Sequence, residues 1–488
     1  MRIAILHHHL RPGGVTRVME NAVASLDGSG HECTVLIGEP CPQRSPLRDV
    51  ARTVDGLKYR ASAGNLTAQE LALRLRTAAG PPPDVWHFHN HCLGKNVLLA
   101  DAIAILAQQG ENLLLQIHDF AEDGRPANYA VASQAKSLYP QSARCHYAVL
   151  NGRDYSILKG AGLAPDRLHL LPNPVMVPEI RATSFATGRR VLFYPTRGIR
   201  RKNIGELILL AVLLSEHGFG VATSLAPDNE VWRPVHAGWE AFARQHQISA
   251  SLGVVQNTAY GSHSFGEWMT TADAIVTTSI TEGFGLVFLE PFLFNKPLVG
   301  RDLPDVTRDF RALGLSFAGL YQRLLAPCDW IALEPIEAQI SELISRQYQI
   351  CGQTAPPGAA KRALGAICHE HYIDFGGLGE PAQKAVILRC LASPPAREAV
   401  SVLLSNGAVL GAANWLVASI NQPVKQECAA LLEEHFSLST YGRKLASIYQ
   451  TVANGDGAMT LFDQEPFDQK KVLTAFLSPE NFHCLKTA

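Results

Sequence analysis

The sequence predicts an α/β chain of two domains, each built on a doubly wound parallel sheet. Three observations predict it. The first is a β-branched run at 272–279 (ADAIVTTS), followed by a glycine turn, an apolar stretch and a short strand at 296–300 (KPLVG). Strand, turn, helix and strand make one βαβ unit. The second lies at the start of the chain. Residues 2–6 read as a strand, after which Val15, Val18, Met19, Ala22, Val23 and Leu26 recur at helical spacing. The third is length, since 488 residues exceed what one core holds, and two domains with added material are expected.

In order, the first strand leads into His7, His8 and His9 and then Gly13-Gly14, which open the first helix. A helix opened by glycines offers backbone N–H groups to an anion. The histidine triplet sits inside this βα unit and reads as native sequence, with metal binding the weaker reading. Residues 33–38 read as a second strand, 40–80 are polar and partly helical, and Pro81-Pro82-Pro83 is a stiff break. His87, His89 and His91 then alternate. They share one face, as a metal site requires, only if the strand stays extended to its end. The alternative is that the strand ends here and the three do not form a metal site. Residues 112–117 read as a buried strand closed by His118-Asp119, either an acid–base pair or a core histidine beside a capping aspartate. A further strand follows at 145–150.

The second domain begins near Arg189, with a strand at 191–194. The loop after it carries Arg197, Arg200, Arg201 and Lys202, four cations in six residues, and an apolar helix follows to Leu214. At the carboxyl end of a strand such a loop is expected to meet an oxyanion. Residues 220–226 read as a strand, and a helix at 264–271 leads into the βαβ unit. Residues 301–307 follow its second strand and could approach the ligand. From 312 to 430 apolar helical stretches alternate with Pro/Gly breaks, as in an added helical subdomain. The polar residues after 455 have no assigned place.

The centre of the chain is Thr281-Glu282-Gly283-Phe284-Gly285-Leu286-Val287-Phe288-Leu289-Glu290-Pro291. Its turn falls at the carboxyl end of a sheet, where open α/β folds bind ligands. Gly283 and Gly285 let the backbone approach a ligand, and the following helix would present its N–H groups and dipole to an anion. Glu282 and Glu290 can accept bonds from sugar or ribose hydroxyls. The plain alternative is an ordinary turn with two surface glutamates. Pro291 removes an N–H, so a kink or a short first helix is expected.

Composition narrows the classes. Hydrophobic content of 47% and charge of 18% describe an ordinary globular protein. A net charge of −1 leaves no basic footprint for nucleic acid and no polybasic membrane anchor, with peripheral membrane contact left open. Ten cysteines without a C-x-x-C pair suit a reducing compartment and argue against structural zinc. With no signal peptide and no transmembrane run legible, a cytoplasmic location is expected.

Glu282 through Glu290 resembles the E-x7-E motif of family 4 of the retaining glycosyltransferases, which have the GT-B fold of two Rossmann-like domains facing across a cleft. The resemblance covers roughly residues 1–310, with weak support at 436–450. It implies a nucleotide-diphosphate-sugar donor, an acceptor the sequence does not name, and transfer with retention of configuration. Arg197 and Lys202 match the family's diphosphate-gripping pair, whereas Arg200 and Arg201 have no counterpart. His118 matches the histidine near the reacting carbon, and with Glu282, Arg197 and Lys202 completes the implied catalytic set. Gly13, Gly14, Gly283, Phe284, Gly285, Leu286 and Glu290 match donor-binding positions, with Glu290 on the ribose. There is no D-x-D in the chain, so neither metal nor cofactor is expected. The implied domains are 1–180 (acceptor side), 181–311 (donor side), a helical extension at 312–430 and terminal helices and tail at 431–488, of which the last helix returns to the first domain. Two departures stand out: Pro291 replaces the family's alanine, and Pro174, in Leu171-Pro172-Asn173-Pro174-Val175, replaces a glycine and predicts a stiffer hinge. The alternatives are a GT-B epimerase or phosphorylase, and an inactive relative that binds sugar or protein.

Overall fold

The structure is a computed structural model that describes residues 1–59, 64–176, 183–455 and 467–486. The chain divides into two compact units. The first comprises Met1–Met176, Gln347–Gln353 and Glu433–Ser478, and the second Val177–Arg346, Thr354–Leu432 and Pro479–Ala488. The expected boundary at 180/181 lies outside the described residues, as does most of the hinge that Pro174 leads into.

The first unit holds seven strands: β1 (Arg2–His7), β2 (Glu32–Ile37), β3 (Ala51–Thr53), β4 (Val85–His89), β5 (Leu113–Ile117), β6 (Cys145–Val149) and β7 (Leu168–Leu170). They pair in parallel in the order β3-β2-β1-β4-β5-β6-β7. This is the doubly wound order, with its switch point between β1 and β4. Every residue of β4, β5 and β6 is buried, because helices cover both faces of a parallel sheet. Helix Gly14–Leu26 lays Val18, Met19, Ala22 and Leu26 on the core. Beside it lies the late helix Leu438–Asn454, which contributes Tyr441, Leu445, Ile448, Tyr449 and Val452 to the same core. Each such buried side chain contributes roughly 1.5–3 kcal/mol. The two helices come close at Gly442, where a Cβ would stand 2.7 Å from the Ser25 carbonyl oxygen. The previously unplaced tail supplies helix Gln469–Phe476 to this unit, with Phe476 against Phe120 at 5.2 Å between ring centroids.

The second unit repeats the plan. Strands β8 (Arg190–Arg197), β9 (Phe219–Leu225), β10 (Ala250–Ser251), β11 (Ala274–Thr277), β12 (Leu298–Arg301) and β13 (Leu320–Tyr321) form a parallel sheet in the order β10-β9-β8-β11-β12-β13. Helix Ile204–Leu213 is buried along its whole length. The C-terminal helical region also carries strands that the sequence reading did not expect. They are β14 (Arg323–Pro327), β15 (Cys368–His369), β16 (Tyr372–Asp374), β17 (Ser401–Leu403) and β18 (Val409–Gly411), an antiparallel sheet in the order β15-β16-β14-β17-β18. These strands are two to five residues long, too short for alternation to stand out.

At the start of the 301–307 segment, Arg301 turns inward. It donates to Glu206 (Nη2–Oε2 2.6 Å) and to Asp374 (Nη2–Oδ1 2.8 Å), and Tyr321 Oη donates to Glu206 (2.7 Å). This buried network ties the antiparallel sheet to the parallel one. Its charges are paired and hydrogen-bonded, as burial requires.

Candidate active site

At the carboxyl ends of β8 and β11 the second unit gathers charge. A bulge between Tyr194 and Arg197 ends β8, and a 3₁₀ turn of Arg200–Lys202 follows. Asn203 closes that turn with φ 52° and begins helix Ile204–Leu213. The Thr278 hydroxyl donates to the carbonyl oxygen of Lys202 (2.8 Å), and the Ile280 N–H to that of Arg201 (3.1 Å). The turn is thereby bonded to the strand end that precedes the E-x7-E motif.

Lys202 and Glu282 form an ion pair, both side chains nearly buried. Ser279 Oγ donates to the same carboxylate oxygen of Glu282 at 2.6 Å, and Ser279 shares a 2.6 Å hydrogen bond with Tyr194 Oη. Burial pushes the Glu282 carboxyl up, but Lys202 and Arg201 outweigh it and hold the group below its ordinary range. It is therefore an anion at neutral pH. Arg197, half-buried at the end of β8, pairs with the exposed Asp228.

The motif itself departs from expectation. No regular helix follows the glycines at once. Gly285 takes φ +83°, where a Cβ would meet Phe288 Cδ2 at 2.7 Å, so glycine is required there. A 3₁₀ turn, Leu286–Phe288, comes next, and then a helix of four residues, Glu290–Leu293. Pro291 accounts for this. In the first turn of that helix it lacks the N–H that would bond back to Val287 and so would continue the helix from the 3₁₀ turn. So short a helix carries little macrodipole, and the expected positive helix end is a correction: the positive charge here comes from side chains. Glu290 is half-buried at the first helical position. Gly283 and Leu286 line the turn, and Phe284 is buried edge-on to Phe310, 5.6 Å between centroids.

In the first unit, His118 lies at the end of β5. Its Nε2 shares a 2.8 Å hydrogen bond with His89 Nδ1 at the end of β4. The Asn90 side-chain oxygen accepts from the backbone N–H of His118 (2.7 Å) and of Asp119 (3.1 Å). Asn90 has φ 55°, which ends β4. His91 therefore leaves the face of His87 and His89 and bonds the Leu138 carbonyl (3.1 Å), whereas His87 bonds Tyr449 Oη (2.8 Å) and Gln116 (2.9 Å). The Asp119 carboxylate accepts from Arg125 at 2.5 Å, so the His-Asp neighbours of the sequence do not act as a simple pair. Burial lowers His118 to about 4, so its ring is neutral at pH 7. Gly13 and Gly14 open helix Gly14–Leu26 in the open, and a Cβ on Gly14 would touch nothing within 4 Å. The protein's own packing does not require that glycine.

Two family models match the chain. A "Glycosyl transferase 4-like domain" matches residues 13–174 and "Glycosyl transferases group 1" matches residues 177–312, together more than half of the sequence. The chain belongs to the GT-B glycosyltransferases of family 4 type. Mannosylglucosyl-3-phosphoglycerate synthase of Petrotoga mobilis is 26% identical over 376 residues, covering 70% of this glycosyltransferase and 72% of the relative. HepE of Anabaena, solved in complex with UDP-glucose, superposes with a TM-score of 0.53 at 12% identity, covering 92% of this chain and all of that one. Sucrose-phosphate synthase of Thermosynechococcus elongatus does so at 0.51 and 13%, covering 93% and 100%. These two neighbours carry the fold. Among the described residues of the glycosyltransferase no helix is long and apolar enough to cross a membrane.

The E-x7-E glutamates and the cationic loop were legible by spacing. Several partners were not: Ser279 and Thr278, because hydroxyls in a β-branched run read as strand filler, and His89's bond to His118, because the two stand on different strands.

Proposed function

We propose that this glycosyltransferase moves a hexosyl group from a nucleoside-diphosphate sugar to an acceptor hydroxyl with retention of configuration, and that the diphosphate needs no metal to hold it. The observation that carries the reading is the Lys202–Glu282 ion pair beside Arg201 and Arg197, at the carboxyl ends of adjacent strands. A lysine ammonium has three N–H donors, so one can bond Glu282 and another a phosphate oxygen. As the bond from sugar to diphosphate lengthens, negative charge grows on the leaving oxygens and Lys202 and Arg197 stabilise it in place. The sugar becomes oxocarbenium-like, and the acceptor enters on the face the diphosphate leaves. Glu290 takes the ribose hydroxyls, and Gly283 to Leu286 line the nucleotide. Neutral His118, oriented by His89 and Asn90, offers one ring nitrogen to the donor sugar. Gly13 and Gly14 leave backbone room for phosphate or acceptor. The cationic loop and the lack of a D-x-D sequence support metal independence.

For the acceptor, an anion is the favoured class. Lys95, half-buried with its ammonium 5.6 Å from the centre of the Tyr59 ring, is lowered by burial and by neighbouring Arg125, with Asp119 acting the other way. Arg125 is already paired with Asp119 there, so Lys95 is the cation at the carboxyl ends of β4 and β5 that suits a phosphate or carboxylate. The name of the Petrotoga relative points to a phosphoglycerate-containing product, which supports the same class. The test is direct: incubate the enzyme with UDP-, GDP- and ADP-hexoses, and with phosphorylated or neutral acceptors, then identify products. A product with the donor's anomeric configuration on an anionic acceptor, formed in excess chelator, is expected. Epimerised nucleotide sugar, sugar phosphate, or no turnover with any donor would favour the other classes.

A further inference from the structure

We infer that helix Glu380–Ala392, which lies beyond the residues either family model matches, positions the cationic turn for the diphosphate through Glu380 and Gln383. The inference rests on the donor reading above and gives the C-terminal region a part in donor binding.

Four like charges in six residues repel one another, and a turn that carries them needs counter-charges to hold one conformation. Asp228 and Glu282 supply two. Glu380 supplies the third. It accepts from Arg200 through both oxygens, Nε–Oε1 at 2.6 Å and Nη2–Oε2 at 2.9 Å, with side chains only 15% and 20% exposed. A planar fork held at two points fixes direction as well as distance. Arg200, a cation without a counterpart in the family, is thus an anchor and not a phosphate ligand.

One helical turn on, Gln383 is fully buried and its Nε2 donates to Asn203 Oδ1 at 2.8 Å. Asn203 is the residue in left-handed geometry, and its own Nδ2 donates to Glu206 Oε2 at 2.8 Å. Both ends of its amide are engaged, which holds a backbone shape that a non-glycine residue adopts at a cost. The two helices approach at Gly205, where a Cβ would run into Gln383 and lie 2.7 Å from the Trp239 ring. The turn is therefore bonded to two elements, the strand end that bears Thr278, Ile280 and Glu282 and the helix that bears Glu380 and Gln383. Lys202 sits between these fixed points. Glu380 and Gln383 touch no donor atom in this scheme; they act through Arg200 and Asn203.

The experiment uses the full chain and, as probes, UDP, GDP and ADP, whichever the wild type binds, with the matching nucleoside as control. Calorimetry gives affinity and thermal melting reports the fold. Glu380→Gln and Glu380→Ala should weaken nucleoside-diphosphate binding about tenfold, since a small misplacement of a binding group is costly. Affinity for the nucleoside should stay within twofold. The charge-exchanged pair Arg200→Glu with Glu380→Arg should recover most of the loss. Diphosphate binding within twofold of wild type in Glu380→Gln, while Lys202→Ala weakens it, overturns the inference and leaves the donor reading standing. Equal loss for nucleoside and diphosphate also overturns it, because a merely structural bridge behaves that way. If Lys202→Ala binds diphosphate like wild type, the donor reading falls and the inference with it.

Discussion

Lys202 and Glu290 carry the sharpest predictions at the scale of single residues. Lys202→Ala should lower turnover about a hundredfold, the usual worth of one charge-assisted contact that strengthens in the transition state. Steady-state rates with a folded variant check this, and near-wild-type turnover would remove Lys202 from the chemistry. Glu290→Gln keeps the shape of the side chain and removes its charge. Donor affinity should then fall by about 1.5–3 kcal/mol, since hydrogen bonds to a charged group are worth that much; calorimetry reads it, and unchanged binding would leave Glu282 as the one acid with a role. Glu282 is the harder residue to interpret. Its carboxylate is nearly buried and bonds both Lys202 and Ser279, so its loss strands a buried cation. An alanine there confounds folding with function, which is why the test belongs at Glu290.

Among elements, the contact between helices Gly14–Leu26 and Leu438–Asn454 sets a clean contest of effects. Alanine in place of Gly442 favours the helix by about 1 kcal/mol. Against that, the new methyl would stand 2.7 Å from a backbone oxygen and 2.9 Å from Ser25 Cβ, and overpacking costs about 1–3 kcal/mol. A backbone oxygen cannot rotate away, so the cost should lie at the upper end and Gly442→Ala should lower stability by up to about 2 kcal/mol overall, measured by urea unfolding. The same elements show what the sequence disclosed. The helix at 14–26 was plain from its period and β5 from its apolar run, whereas β4 had to be read through its alternating histidines. At the E-x7-E motif the short first helix expected from Pro291 is present, as four residues after a 3₁₀ turn, but the helix end expected directly behind the glycines is not. Local steric rules foretold the shortness but not the loss of the dipole. The sheet β14–β18 was hidden because strands of two to five residues show no clear period, and the grip of Glu380 on Arg200 because the two stand 180 positions apart.

For the whole molecule, the buried histidines of the first unit predict marked acid sensitivity. Burial lowers His8, His91 and His118 to about 4 and His87 to about 3, from 6.5. Between pH 6.5 and about 4 the unfolded chain therefore binds protons that the native chain refuses, and stability falls as pH falls through that window. Glu122, raised by burial from 4.5 to about 7, has the opposite sign and cancels one proton between those values. Four protons less the one on Glu122 leave about three, each worth about 1.4 kcal/mol per pH unit, so these groups give a slope of about 4 kcal/mol per unit near pH 5.5. Urea midpoints at pH 7.5, 6 and 5 measure it, and His87→Gln should flatten the slope by about one proton; a flat profile would mean these rings already protonate in the native state. The path of the chain has a consequence during biosynthesis. The core of the first unit is closed by Tyr441, Leu445, Tyr449 and Val452, which the ribosome adds only after the whole second unit except its last residues. Until then the nascent sheet presents an uncovered greasy face, and the second unit must be built while the first is still open. Synthesis of the helix at 438–454, and not emergence of residue 176, is what first lets the core of the first unit close.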